Sequence, residues 1–126
     1  MALLAKATVE AVPNFIANLE AAYQFFMLQD AESAPSRLSK LKAELRQMVQ
    51  ILAWSPSSGR TARFFNTKSA QARLKVEAVM QLAEQAGMHE LREYIVGQHI
   101  VLYAHSDKSV VLLALKNQRQ LIYLAE

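Results

Sequence analysis

Cysteine is absent from the 126-residue chain, and glycine and proline number only three each. Without cysteine there can be no disulfide, no thiolate metal site and no thiol nucleophile. The three histidines, His89, His99 and His105, are scattered and lack the spacing of zinc ligands, so neither a metal nor another cofactor is expected. Scarce glycine and proline, in a chain that is 52% hydrophobic and 20% charged, argue against extended disorder. Long apolar runs are missing too: a stretch such as Val110 to Leu115 falls far short of the roughly 20 residues that span a bilayer. The opening MALLAKATVEAVPNF lacks the basic-then-apolar order of a signal peptide. A single cytoplasmic domain over residues 1–126 is therefore expected, with no membrane partner. Such a chain can bury about two-thirds of the surface that its unfolded form exposes.

What is present is an uneven distribution of charge. The net charge is +3, but residues 34–80 hold nine basic and two acidic side chains, a local net of +7. Residues 1–33 carry one basic and four acidic groups, and residues 81–126 carry four and five. A basic block on a soluble protein suits an anionic partner, either nucleic acid or an acidic protein segment, although it is also what a solvated helix face looks like.

Hydrophobic periodicity divides the chain into elements. Residues 3–12, LLAKATVEAV, suit a strand that Pro13 would end, with Asn14 capping a following helix. In that helix Phe15, Leu19, Ala22, Tyr23 and Phe26 share a face, and it should finish near Gln29. Ser33 and Pro35 read as the start of a second helix, in which Leu38, Leu41, Leu45, Met48 and Leu52 recur every three or four residues. It must stop before Ser55-Pro56-Ser57-Ser58-Gly59, so the two helices form an antiparallel hairpin. A third helix is expected from Ser69 to Gly87, with Leu74, Ala78, Val79, Leu82 and Ala86 inward and Gly87 as its left-handed cap. From Glu90 the period becomes two. LREYIV, HIVLYAH and SVVLLALK read as three strands joined by tight turns at Gly97-Gln98 and Ser106-Asp107-Lys108. The fold class is α+β: an N-terminal strand and helical hairpin, a further helix, then a C-terminal antiparallel β-meander with the helices on one face of the sheet.

No Ser/His/Asp order, glycine-rich phosphate loop or paired-carboxylate spacing stands out. Beside the sheet instead lies a set of cationic and aromatic residues: Arg92, Tyr94, His99, Tyr103, Lys116, Arg119 and Tyr123. Residues two apart on a strand share a face, so Arg92 projects with Tyr94, and His99 with Tyr103. Were the set to converge, it could hold a phosphate and move protons, as RNA cleavage by 2′-hydroxyl attack requires, with no metal. The plain alternative is that the tyrosines are half-buried sheet residues and His99 a structural one.

VPNFIANLEAAYQFF in the first helix, SPSSGR after the second, and LREYIVGQHIVLY followed by VVLLALKNQRQLIY together resemble the RelE/ParE superfamily, the toxins of bacterial type II toxin-antitoxin (plasmid stabilization) systems. The resemblance covers nearly the whole chain. It implies a helical hairpin on a curved antiparallel sheet and a cognate antitoxin that wraps around the toxin in a hetero-oligomer. It also offers two mechanisms. RelE-like toxins are metal-independent endoribonucleases that cleave messenger RNA on the ribosome, whereas ParE-like toxins inhibit growth by binding DNA gyrase. The nuclease pattern is matched at Arg92, Lys116 and Arg119, and at Tyr123, with His99 or Tyr123 as the proton carrier. The chain departs from it at Ile100, where many members place an arginine, and at Asn117, which keeps a hydrogen-bonding side chain but cannot titrate. Removing one preorganised donor costs about 3–4 kcal/mol of transition-state stabilisation. The resemblance therefore favours a ParE-like gyrase inhibitor over a RelE-like nuclease, with an inert antitoxin-binding homologue as the third reading. The implied binding residues are Arg92, Tyr103, Lys116, Asn117, Arg119 and Tyr123, with the basic helical residues Arg37, Lys40, Lys42 and Arg46.

Overall fold

The computed structural model describes residues 6–62, 70–85, 87–88 and 90–119. In chain order the elements are β1 (Thr8–Ala11), α1 (Pro13–Gln29), α2 (Ala34–Trp54), β2 (Arg60–Thr61), α3 (Ala70–Gln85), β3 (Glu90–Val96), β4 (His99–His105) and β5 (Ser109–Asn117). The described part of the expected first strand narrows to the four residues of β1. Both helices of the hairpin end where expected. The cap of α1 does not lie at Asn14: Val12 is the N-cap and makes no side-chain cap bond, while Pro13 opens the first turn. Proline suits that position because its fixed φ is helical and the N–H it lacks would be unpaired there anyway. Asn14 is thereby released to the interior, where its amide nitrogen donates to the Leu113 carbonyl at 3.0 Å.

The three C-terminal strands form the expected antiparallel meander, β3 on β4 and β4 on β5. Its first turn has positive φ at Gly97 (58°) and at no non-glycine residue, the pattern of a type II′ hairpin. In the second turn the Ser106 hydroxyl accepts from the N–H groups of Lys108 and Ser109. Two further strands complete a five-stranded sheet of order β1-β5-β4-β3-β2. β1 runs parallel to β5, so the sheet is mixed, and β2 adds antiparallel to Arg92 and Glu93 of β3.

The helices do not share one face of the sheet. Phe15 and Phe26 of α1 and Leu41, Leu45, Met48 and Leu52 of α2 pack with Val101, Tyr103, Val110, Leu112 and Leu115. Against the opposite face, Ala83 and Leu82 of α3 pack with Ile100, Leu102, Ala104, Leu113 and Ala114. The expectation of one-sided packing is thus corrected, and the reason lies in the strands. HIVLYA in β4 is apolar at nearly every position and buried from His99 to Ala104, so both of its faces need cover. α3 closes with Gly87 at φ 72°, where Gly87 N–H donates to Glu84 O and Met88 N–H to Ala83 O. That bond pair is a Schellman motif, and it bears out Gly87 as the cap. Ser69 and Ala86 of the expected third helix lie outside the described residues, as do the side chains of Leu74 and Val79.

Candidate binding site

Strand parity and one irregularity decide where the candidate residues fall. Along β5 the register against β4 shifts between Leu102 and Tyr103: Leu102 pairs with Ala114 but Tyr103 with Leu112, which makes Leu113 an extra residue. Leu113 and Ala114 therefore both face α3. Simple alternation counted from Val110 would place Lys116 on the α1/α2 face; the bulge moves it to the other one, opposite Ile100. The Leu113 carbonyl finds its partner in Asn14, and one turn later the side-chain Oδ1 of Asn18 accepts from Leu115 N–H at 2.9 Å. These two asparagines clip α1 onto β5.

The expected cationic set consequently splits into three groups. On the α3 face, Arg60 Nε lies 3.3 Å from the carboxylate of buried Glu93, and Lys116 stands near both. Burial pushes the Lys116 ammonium below the usual lysine range; Glu93 opposes that shift and Arg60 adds to it.

On the α1/α2 face, Arg92 and Tyr103 pair across β3 and β4 and hold the Ser55–Arg60 turn. The Tyr103 hydroxyl donates to Pro56 O at 2.8 Å and accepts from Gly59 N–H at 2.9 Å. Arg92 Nη1 donates to Gly59 O at 2.9 Å, while its Nε donates to His105 Nε2 at 3.1 Å. The Glu90 carboxylate completes the group, 3.6 Å from Arg92 Nη2 and 3.4 Å from His105 Nε2. Gly59 is required here, because a Cβ would lie 2.6 Å from Glu93 O and 2.7 Å from the Tyr103 hydroxyl. Burial raises the Tyr103 hydroxyl above its ordinary pKa, opposed by the Gly59 hydrogen bond and by Arg92. Tyr103 is thus a neutral structural clasp. Strand alternation sets His105 beside Tyr103 and Glu90 beside Arg92, a signal the sequence carried, and cross-strand pairing joins the two pairs.

The third group surrounds a pocket of about 460 Å³ between α1 and the C-terminal end of β5. Ala21, Ala22, Phe25 and Leu115 give it an apolar lining, and Arg37, His99, Asn117 and Arg119 bring polar groups. Arg37 of α2 lies with its guanidinium 4.1 Å from the Phe26 ring centroid and donates to Gln29 at 2.9 Å. His99 meets the same Phe26 edge-on, with ring centroids 5.9 Å apart. Its burial lowers the imidazole pKa; Glu44 opposes and Arg37 reinforces the shift, so the ring is neutral at neutral pH. Asn117 accepts from the Arg119 N–H at 2.9 Å, and Gln118 donates to Gly97 O at 2.8 Å. The polar end of β5 is thereby tied to the β3–β4 turn.

Of the expected site residues, His99, Asn117 and Arg119 thus gather with Arg37 at one pocket, which Lys116 also lines. Arg92 and Tyr103 stand at the 55–60 turn, the Lys116 side chain faces α3, and Tyr123 lies outside the described residues. Lys40, Lys42 and Arg46 are exposed along α2. Phe25 was missed from sequence because it lies off the inner stripe of α1. An aromatic residue outside that stripe, with Leu28 three residues later, is the signal that could have marked it. Among the described residues no helix is long and apolar enough to cross a membrane. The chain matches no protein-family model and no curated protein sequence.

Proposed function

We propose that this chain is the toxin of a type II toxin-antitoxin pair, ParE-like in action, which stops growth by binding DNA gyrase and is neutralised by its cognate antitoxin. The RelE/ParE resemblance of the helical hairpin and meander motifs supports the family. One observation carries the choice of mechanism: the cations of the nuclease pattern do not all meet. Lys116 and Arg92 project from opposite faces of the sheet, and Arg92 is spent on Gly59, His105 and Glu90. A phosphorane-like transition state needs preorganised charge converging on one phosphate, whereas a protein inhibitor needs only a complementary surface. The surface suited to that role is the α1–β5 pocket with Arg37 and Arg119 at it.

Pulse-labelling of DNA and protein synthesis in the minutes after the chain is expressed alone in bacteria tests this reading. DNA synthesis is expected to fall first while translation continues, and the purified chain should inhibit gyrase supercoiling. An early fall in protein synthesis would instead place the target at the ribosome, and no effect on either would leave an inert antitoxin-binding protein.

A further inference from the structure

We propose that the α1–β5 pocket docks an acidic peptide segment through one bulky apolar side chain, with flanking carboxylates held by Arg37 and Arg119. This deepens the protein-binding reading above and rests on it.

Charge complementarity is the first ground. Among the described residues, those lining the pocket include Arg37, Lys116 and Arg119 and no carboxylate. Arg119 is exposed, and no ion pair engages its guanidinium among the described residues. Arg37 is already held over the Phe26 ring and bonded to Gln29, so ordering it for a carboxylate costs little further side-chain freedom.

The second ground is the apolar surface. Phe25 is 50% exposed although it lines the pocket, and Leu28, one turn on, is 87% exposed. Ala21, Phe25 and Leu28 follow i, i+4, i+7 spacing and so form one stripe along α1. Alanines at 21 and 22 leave the space into which a side chain fits, with Leu115 behind it. A stripe that runs past the pocket suits a peptide lying along the helix better than a small anion, which would leave Leu28 uncovered. The larger groove between β1, α1 and the end of α3 has no such rim among the described residues, where its only charged lining residue is Glu10.

Selection of a random short-peptide display library against the purified chain tests the proposal. Enriched peptides are expected to be net acidic, with one Leu, Ile, Phe or Trp between acidic residues. Arg119→Glu should weaken their binding roughly tenfold at low salt and less at high salt. Ala21→Trp, at an exposed position of α1, should fill the pocket and abolish binding without touching the core. Enrichment of nothing, of basic sequences, or of peptides that bind both variants like the parent overturns the proposal. So does self-association that Ala21→Trp abolishes, which would make a second copy the occupant, or displacement of the peptides by a 5′-mononucleotide. None of these readouts depends on toxicity. A chain that arrests DNA synthesis but binds no acidic peptide sinks only the pocket assignment, and a harmless chain that binds such peptides sinks only the toxin reading.

Discussion

At the scale of single residues, Tyr103 does the work that the sequence assigned to a ligand-binding face. It is fully buried, and its hydroxyl answers two backbone groups of the 55–60 turn at once. Tyr103→Phe leaves the Gly59 N–H and the Pro56 carbonyl without that partner, so unfolding free energy should drop by about 1–3 kcal/mol in urea titration. Gly59→Ala should cost at least as much, because the added methyl meets the Glu93 carbonyl as well as the Tyr103 hydroxyl. His99 has a different signature. Its folded pKa is below the unfolded value, so the folded state binds fewer protons across that interval, and stability must fall as pH drops below about 6.5. The loss should level off once the folded-state pKa is passed. In His99→Gln the urea midpoint should decline less over this range than in the parent; identical pH profiles would show that His99 is not the group responsible.

Among the elements, α1 is decisive because it is fastened to β5 by chemistry as well as by packing. Asn14 and Asn18 stand one helical turn apart and meet the backbone on either side of the β5 bulge. Asn14→Ala should destabilise the fold by about 1–3 kcal/mol by leaving the buried Leu113 carbonyl unpaired. In α2, Met48 is 1% exposed in the hairpin core, and Met48→Ala should cost about 2–5 kcal/mol through lost burial and a residual cavity. Denaturant midpoints of the two variants, compared at equal slope, check both figures. The α2 stripe was legible because every helical turn repeats it, whereas the place of Asn14 was not. Asparagine just after Pro13 reads locally as a cap, and only the Leu113 carbonyl arriving from far along the chain makes it a core residue.

Across the whole molecule, β4 lies at the centre of the sheet and between two helical layers. Its amides should exchange most slowly with deuterium, and those of the edge strand β1 should exchange much faster. Uniform exchange across the sheet would contradict this layering. The same layering separates the candidate cations. A sheet covered on both sides offers no single open face on which Arg92, Lys116 and Arg119 could converge, and the pocket end of α1 remains the place where apolar surface and positive charge meet.

Sequence alone determined the types and limits of most elements: the hairpin of α1 and α2, the Gly87 cap, and the three strands from Glu90 with their two turns. Each rests on local periodicity or on turn chemistry that neighbouring residues enforce. Tertiary structure alone decided the parallel pairing of β1 with β5, the placement of α3 on the far face, and the side of the sheet to which each candidate residue points. The physical reason is most direct at Leu113. Side chains alternate along a strand, so one extra residue reverses the facing of everything beyond it. Whether a strand accepts that extra residue depends on its partners, here β4 and Asn14, and not on its own sequence.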